Sequence, residues 1–320
     1  MLAYLARRLA HSIVVLSLIS VATFLIVHLS PGGPEVLFAG DLPPSERVHI
    51  IRNLGLDQPL HVQFARWFSA VLRGDFGRSF NQQRPVLDMI AERLPATVVL
   101  ALASLIVAVV VGVPLGVAAA RRPNSWVDYS ATGISVLGVS TPSFWLGIIL
   151  ILLFSVRLRL LPSSGMVTVG AAFSLGDLLR HLLMPAFVLS LVYLAQIASY
   201  TRSSMLDVMH RDYVRTARAK GLREVAVLVR HVLRNSLMPV ITVVGLLIPR
   251  LVGGAAITET IFSWPGMGRL AVEAAFKRDY PLIMGITVIF ALAVIASNLA
   301  VDIVYGLVDP RVKVGGAEQR

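Results

Sequence analysis

Residues 97–120, TVVLALASLIVAVVVGVPLGVAAA, decide the fold of this chain, because no charged side chain interrupts them. A helix rises 1.5 Å per residue, so these residues extend over about 36 Å, more than the roughly 30 Å of a bilayer's hydrocarbon core. Lipid offers no partners to backbone N–H and C=O groups, whereas a helix satisfies them internally. The stretch therefore predicts a transmembrane helix.

Five further blocks are comparably long and apolar: residues 9–29, 131–156, 182–200, 237–257 and 282–307. The chain of 320 residues is 56% hydrophobic and only 15% charged, whereas soluble domains carry about 25% charged residues. This composition excludes a water-soluble enzyme and predicts an all-α integral membrane protein with six transmembrane helices. The first block is too long for a cleaved signal peptide and lacks a small-residue cleavage motif, so we expect it to be retained.

The distribution of basic residues predicts the orientation in the membrane. If the N-terminus is inside, the inner segments are the N-terminal tip, residues 121–128, residues 201–235 and the C-terminal tail. Together these segments carry fifteen Lys and Arg residues against six Asp and Glu residues. This asymmetry predicts that both termini are cytoplasmic. It also accounts for the net charge of +11, so that the charge gives no indication of nucleic-acid binding.

Two segments between the spans are longer than simple connections. Residues 30–94 are predicted to form an extracytoplasmic subdomain, with an amphipathic helix whose apolar face carries Leu60, Phe64, Trp67, Phe68 and Val71. Residues 201–235 form the second long segment, on the cytoplasmic side. The expected organisation is a cytoplasmic tip and first span (1–29), the outer subdomain (30–94), a core with the other five spans (95–308) and a cytoplasmic tail (309–320).

The inner segment is predicted to form two helices, residues 204–220 and 222–235, separated by Gly221, since glycine commonly follows a helix end. The first helix has an apolar stripe of Leu206, Met209, Tyr213 and Ala217 and a charged stripe of Asp207, Arg211, Arg215 and Arg218. One interpretation is an amphipathic pair lying on the anionic inner leaflet. The other is a protrusion that inserts into a groove of a cytoplasmic partner. Physical arguments alone do not separate them.

The same segment carries a resemblance to a known family. Residues 212–221, DYVRTARAKG, resemble the signature loop of ABC-importer permeases, in the form found in the dipeptide/oligopeptide/nickel permease family. Arg215 and Thr216 stand where the general signature has Glu and Ala, and seventeen residues separate Gly221 from Pro239; both departures are typical of the peptide branch. Further matches follow in chain order at residues 29–34, 54–60, 74–79, 93–97, 259–268 and 309–311.

The resemblance implies a permease subunit in the bacterial inner membrane, with a cytoplasmic coupling-helix hairpin. A second, similar permease subunit, two cytoplasmic ATPase subunits and an extracytoplasmic substrate-binding protein would complete the importer. ATP and Mg²⁺ would be bound by the ATPase subunits, and this chain would need no cofactor. The coupling loop would contact an ATPase through Tyr213, Arg215, Thr216, Ala217, Arg218, Lys220 and Gly221. In agreement, the sequence contains no Gly-x-x-x-x-Gly-Lys-Ser/Thr phosphate-binding loop.

Few polar side chains lie within the spans, and each is a candidate for the pathway or for a contact between helices. For Asn298 and Asp302, one turn apart, we expect an interhelical hydrogen bond or an ion pair with a neighbouring chain. Arg250 either reaches the interface or faces the translocation path. Gly112 and Gly116 favour close helix contact, within the chain or between two permease subunits. The seven histidines show no ligand spacing, so we expect no metal site.

The expected function is transport of di- or oligopeptides, with a nickel or glutathione importer of the same family as the alternative. A different class, a self-sufficient secondary transporter or channel, would require paired charges near the midplane, broken helices or an internal repeat. The sequence indicates none of these. Nor does it contain a catalytic arrangement, so the chain itself is not expected to be an enzyme.

Overall fold

The computed structural model describes residues 2–29, 52, 55 and 57–308, and the side chains of residues 2–7, 9, 250, 252–254 and 302–308 lie outside this description. The predicted tail, 309–320, also lies outside it. The first helices are α1 (Leu2–Leu29), α2 (Leu60–Leu72), α3 (Val86–Arg121), α4 (Trp126–Ser140) and α5 (Ser143–Leu150), which continues as a π-helix (Ile151–Arg157). The second half contains α6 (Leu175–Met209), α7 (Asp212–Ala219), α8 (Glu224–Ala226) with a π-helical continuation (Val227–Leu233), α9 (Arg234–Gly254), α10 (Ala256–Ile261), α11 (Met267–Phe276) and α12 (Tyr280–Val308).

The predicted all-α membrane architecture is confirmed. Five described stretches are long and apolar enough to cross a membrane: Ala10–Leu29, Val86–Arg121, Leu175–Met209, Glu224–Pro249 and Tyr280–Val301. The helix pair Trp126–Ser140 and Ser143–Arg157 supplies a sixth crossing if it is counted as one span. Several of these helices are longer than their apolar blocks, because polar turns at their ends remain helical. The terms inner and outer follow the orientation that the sequence predicts, with α7 on the inner side.

The third predicted span, residues 131–156, is not one continuous helix. α4 and α5 meet at an angle of 101°. Thr141 is extended, with φ −83° and ψ 122°, as expected for a residue before proline, whose ring disfavours the helical conformation at the preceding position. Pro142 then starts α5. The expectation that no helix is broken is therefore wrong at this position.

The inner segment also differs from the predicted pair of helices. α6 continues to Met209, and the backbone turns at His210 and Arg211 before α7 begins at Asp212. Arg211 is extended, with φ −73° and ψ 146°, and this interrupts the helix predicted over residues 204–220. After α7, the chain enters α8 and continues through π-helical turns into α9. The predicted hairpin is thus one short helix held between the inner ends of two long ones.

α3 and α6 pack closely along much of their length. Gly112 and Gly116, one helical turn apart, face α6, and a Cβ atom on Gly116 would lie 2.5 Å from the carbonyl oxygen of Ala198. Small residues allow helix backbones to approach each other in a membrane, where packing drives association. Of the two roles that the sequence left open for these glycines, the structure shows contact within the chain.

The outer segment is attached to α1 and α12. α2 confirms the predicted amphipathic helix, and the rings of Phe64 and Trp67 lie 5.4 and 6.1 Å from the ring of Phe24 on α1. The buried carboxylate of Asp279, just before α12, accepts hydrogen bonds from the Ser79 hydroxyl and from the backbone N–H of Phe80 at 3.1 Å. The part of the predicted subdomain between residues 30 and 51 lies outside the described residues.

The packing of α3 on α6 predicts a position-specific effect of adding one methyl group. Gly116→Ala should lower the free energy of unfolding by about 1–3 kcal/mol, as expected when a packed interface is overfilled. Gly133→Ala, in α4 with nothing within 4 Å of its added Cβ, should be neutral or slightly stabilising, because alanine favours helix more than glycine. Unfolding of the purified proteins in detergent measures both, and equal stability of the two variants would contradict the interface.

Candidate functional site

The site is centred on α7, Asp212–Ala219, at the inner side of the molecule. Its start is fixed by the extended Arg211, and its end by Gly221, which adopts a left-handed conformation with φ +74°. The N–H of Gly221 donates to the carbonyl of Arg218 at 2.9 Å, which satisfies one carbonyl at the helix end. Gly221 therefore ends the helix as predicted.

One face of α7 is buried in the protein itself. Val214 is fully buried and Ala217 is 5% exposed. They belong to an apolar cluster that also contains Ala120 at the inner end of α3, Met205 on α6, and Val227, Leu228 and Val232 in the helix leading to α9. We call these seven residues the coupling cluster. α7 therefore shares one apolar cluster with α3, α6 and the helix leading to α9, and this packing fixes its position on the molecule.

The opposite face of α7 is exposed. Tyr213, Arg215, Thr216, Lys220 and Gly221 all present accessible surface, and the side chain of Arg215 is 77% exposed. Arg215 lies 3.7 Å from Asp212, itself almost fully exposed, so the pair is only weakly stabilising. The Tyr213 hydroxyl accepts a hydrogen bond from the Asn235 side chain at 3.2 Å, which ties α7 to the start of α9.

Two of the seven residues predicted for the coupling loop, Ala217 and Arg218, are occupied by contacts within the chain instead of being available on the exposed face. Ala217 was expected to let the helix end approach a partner closely, but it faces inward, and its small size serves the coupling cluster. Arg218 donates to Glu224 at 2.8 and 3.3 Å, and this ion pair bridges the turn around Gly221. The predicted apolar stripe is also wrong for Tyr213, which is 44% exposed, because the turn at Arg211 rotates α7.

An ion pair near the site, with a buried carboxylate and a partly exposed guanidinium, was not predicted. Asp128, 3% exposed, accepts two hydrogen bonds from Arg202, at 2.6 and 2.7 Å, and a third from the backbone N–H of Asn124. The pair joins the inner end of α4 to α6, two turns before α6 reaches the coupling loop. The sequence gives little indication of this ion pair, because Asp128 has the position of an ordinary acidic residue in the first helical turn after the cap residue Ser125.

Beside this ion pair lies a cavity of about 510 Å³ between α3, α4 and α6. Its polar lining consists of hydroxyl and amide groups together with the charge-balanced Arg202: Thr132, Ser135, Ser140, Gln196, Ser199, Tyr200 and Arg202. These groups can donate and accept hydrogen bonds without imposing a net charge. Apolar residues such as Ala131, Val136 and Val139 line the larger part of the cavity, so it combines apolar contact with a few polar groups, as ligand sites commonly do.

Of the polar residues predicted within the spans, Asn298 has a described side chain, and it does not line this cavity. Asn298 is exposed and lines a separate groove between α1 and α12, together with Ser12 and Thr287. The side chains of Arg250 and Asp302 lie outside the described residues, so their expected roles stay predictions. Among the side chains that are described, no group of three or more His, Cys, Asp or Glu residues could hold a metal ion.

Comparison with known families matches nearly the whole chain. Residues 112–314 match the family described as binding-protein-dependent transport system inner membrane component, and residues 1–101 match the family of N-terminal regions of such membrane components. The chain is 45% identical to the oligopeptide transport system permease protein AppB of Bacillus subtilis, over 98% of this chain and all of that protein. It is 39% identical to the dipeptide transport system permease protein DppB of Escherichia coli, over 98% and 99% of the two chains.

A solved structure shares the fold. The inward-facing MetNI methionine ABC transporter, in its native crystal form, aligns with 70% of this chain and 97% of its own chain, with a TM-score of 0.57 and 16% sequence identity. At this identity the likeness concerns the fold alone. Together with the matches over the full length, it places the architecture among importer permeases. The chain therefore belongs to the family of inner-membrane components of binding-protein-dependent transport systems, and is a membrane permease of an ABC importer rather than an enzyme.

Proposed function

We propose that this chain forms half of the translocation path of an ATP-driven importer of di- and oligopeptides, with a second, similar but distinct permease subunit forming the other half. A substrate-binding protein delivers the peptide from the outer side. The similarity to an oligopeptide permease at 45% identity over 98% of the chain supports the substrate class. The two-faced α7, buried on one side and exposed on the other, is the observation that carries the mechanism.

The exposed face of α7 docks into a groove of a cytoplasmic ATPase subunit. Tyr213 and Thr216 supply contact area, Arg215 and Lys220 meet acidic groups at the rim, and Gly221 leaves room for close approach. Arg218 keeps the turn in shape through Glu224, and Ala217 anchors the helix from within. ATP and Mg²⁺ are bound by the ATPase subunits, and both termini of this chain are cytoplasmic.

The buried face of α7 passes movement on to the membrane helices. When ATP binding draws the two ATPase subunits together, α7 follows as a rigid body because the coupling cluster fixes it to α3, α6 and the start of α9. The Ser204 hydroxyl, hydrogen bonded to the carbonyl of Ser236 at 2.9 Å, further joins the inner ends of α6 and α9. Tilting of these helices opens the path alternately to the two sides of the membrane.

The cavity beside Asp128 and Arg202 forms part of the wall of the path. Its hydroxyl and amide groups can exchange hydrogen bonds with peptide N–H and C=O groups, which every peptide presents. Because Asp128 balances the charge of Arg202, the wall neither attracts nor repels a charged peptide strongly. This chemistry suits a transporter that accepts peptides of varied sequence.

The docking of α7 predicts that reversing one exposed charge uncouples the transporter. In the complete transporter, Arg215→Glu should reduce the ATPase activity stimulated by loaded binding protein at least about tenfold, a change of about 1.4 kcal/mol, since it places like charges opposite each other. Gly221→Glu should insert normally and abolish this stimulation, because it strains the left-handed turn after α7 and places a long charged side chain at the contact. Stimulated ATP hydrolysis in proteoliposomes measures both effects.

The matched control is Arg122→Glu, which makes the same charge change in the exposed inner loop between α3 and α4. It should leave stimulation within about twofold of the original, since exposed charges away from a contact have small effects. Normal stimulation in both Arg215→Glu and Gly221→Glu would contradict the docking role. If Arg122→Glu lost stimulation to the same extent, the effect would belong to the inner surface as a whole. This result would also contradict the docking role of α7.

The proposed substrate class predicts the ligand of the cognate binding protein. Di- and oligopeptides of different net charge should each raise its melting temperature, and the same peptides should compete for uptake by the complete transporter. Melting curves with peptides, glutathione and chelated nickel form one experiment. Stabilisation by glutathione or the nickel complex, with none by peptides, would contradict the peptide assignment and favour the alternative importer types.

A further inference from the structure

A carboxylate buried on the outer side is left unused by the mechanism above. Glu259, on α10, is completely buried, and within the described residues no basic side chain forms an ion pair with it. It accepts hydrogen bonds from the Thr97 hydroxyl at 2.8 Å and from the backbone N–H of Arg269 at 2.9 Å. Burial raises the pKa of the Glu259 carboxyl, and these bonds together with one from the N–H of Gly268 oppose the rise.

The hydrogen bonds show what Glu259 does in the structure. The first N–H groups of a helix lack partners within the helix and favour a negative charge nearby. At the start of α11, the N–H of Met267 donates to the Thr97 hydroxyl oxygen at 2.7 Å, and the next N–H groups face the Glu259 carboxylate. Thr97 of α3 and Glu259 of α10 thus cap α11 jointly. Gly266 is required beside them, since a Cβ there would lie 2.3 Å from the carboxylate.

A second bond joins the same outer segment to α3. The indole N–H of Trp264, a fully buried side chain, donates to the carbonyl of Ala96 at 2.8 Å. We call Ala96, Thr97, Glu259, Trp264 and Met267 the outer clamp. All of its hydrogen bonds to α3 fall on two consecutive residues, Ala96 and Thr97. In addition, Met267 and Leu270 of α11 share an apolar cluster with Val86 at the start of α3.

α3 connects the outer clamp with the coupling cluster. It is one helix from Val86 to Arg121, with Thr97 near its outer end and Ala120, 1% exposed in the coupling cluster, at its inner end. The two residues are about 35 Å apart along the helix axis. Pro114 lies between Gly112 and Gly116, where close contact with α6 supports the helix.

We propose that Thr97 and Glu259 are positioning residues that carry the movement of α3, started at α7, to the outer segment containing α10 and α11. The inference rests on the proposed function, because α7 must first be moved by an ATPase. The outer clamp then makes the outer segment follow α3, so that the outer opening closes when the inner one opens. A cap that served stability alone would require no connection to the helix that reaches the coupling cluster.

The test uses Thr97→Val in the complete transporter, since valine keeps the shape and removes the bridging hydroxyl. ATPase subunits should remain bound and basal ATP hydrolysis should stay close to the original, while the melting temperature should fall modestly because the N–H of Met267 and the carboxylate of Glu259 lose a buried partner. Peptide uptake per ATP hydrolysed should fall about tenfold, a change of about 1.4 kcal/mol in coupling. Thr97→Ser, which restores the hydroxyl, should recover most of the uptake.

The matched control is Thr242→Val on α9, where the hydroxyl donates to the carbonyl of Met238 in its own helix and, among the described residues, to no other helix. It should leave uptake per ATP unchanged. Equal uptake in Thr97→Val and Thr97→Ser overturns the inference, and so does a parallel loss of stability, basal hydrolysis and uptake in Thr97→Val, which is the pattern of a purely structural cap. Either result leaves the proposed function standing if Arg215→Glu still uncouples. Normal stimulation in both Arg215→Glu and Gly221→Glu would instead contradict the docking of α7, on which this inference rests.

Discussion

The burial of Val214 and Ala217 against the inner ends of three long helices is the constraint on which the rest of the account depends. A helix of eight residues has little stability of its own, and burying Val214 alone contributes about 1.5–3 kcal/mol. This packing gives α7 a fixed place on the molecule and leaves its other face to solvent. A short helix held in this way transmits a push, whereas a flexible loop would absorb it.

Some prolines within the spans lie in a continuous helix, whereas another lies at a break between two helices. Pro95 and Pro114 lie inside the continuous α3, and neighbouring helices compensate for the missing N–H groups in a membrane. Pro142 follows an extended Thr141, and there the span breaks by 101°. The continuous α3 connects the two sides of the protein, while Ser140, the last residue of α4 before the break, lines the cavity.

Much of the fold could be predicted from sequence, because membrane spans need only long apolar blocks, which periodicity and composition identify directly. The coupling loop could be located by its motif, and Gly221 ends its helix as expected. Its buried face could be predicted only in part: the apolar stripe contained the buried Ala217, but it missed Val214 and included the exposed Tyr213, since the turn at Arg211 rotates α7 relative to α6. The buried Glu259 was missed because its partner Thr97 lies 162 residues away in the chain, a separation at which no local pattern gives a signal.

Cross-linking offers the most direct test of the two-faced α7, because the chain contains no cysteine of its own. Arg215→Cys and Thr216→Cys place a thiol on the exposed face, and Val214→Cys places one on the buried face of the same helix. With a short thiol-to-amine cross-linker in the assembled transporter, the first two variants should form adducts with an ATPase subunit and the third should not. An adduct from Val214→Cys alone, or equal yields from all three positions, would contradict the account.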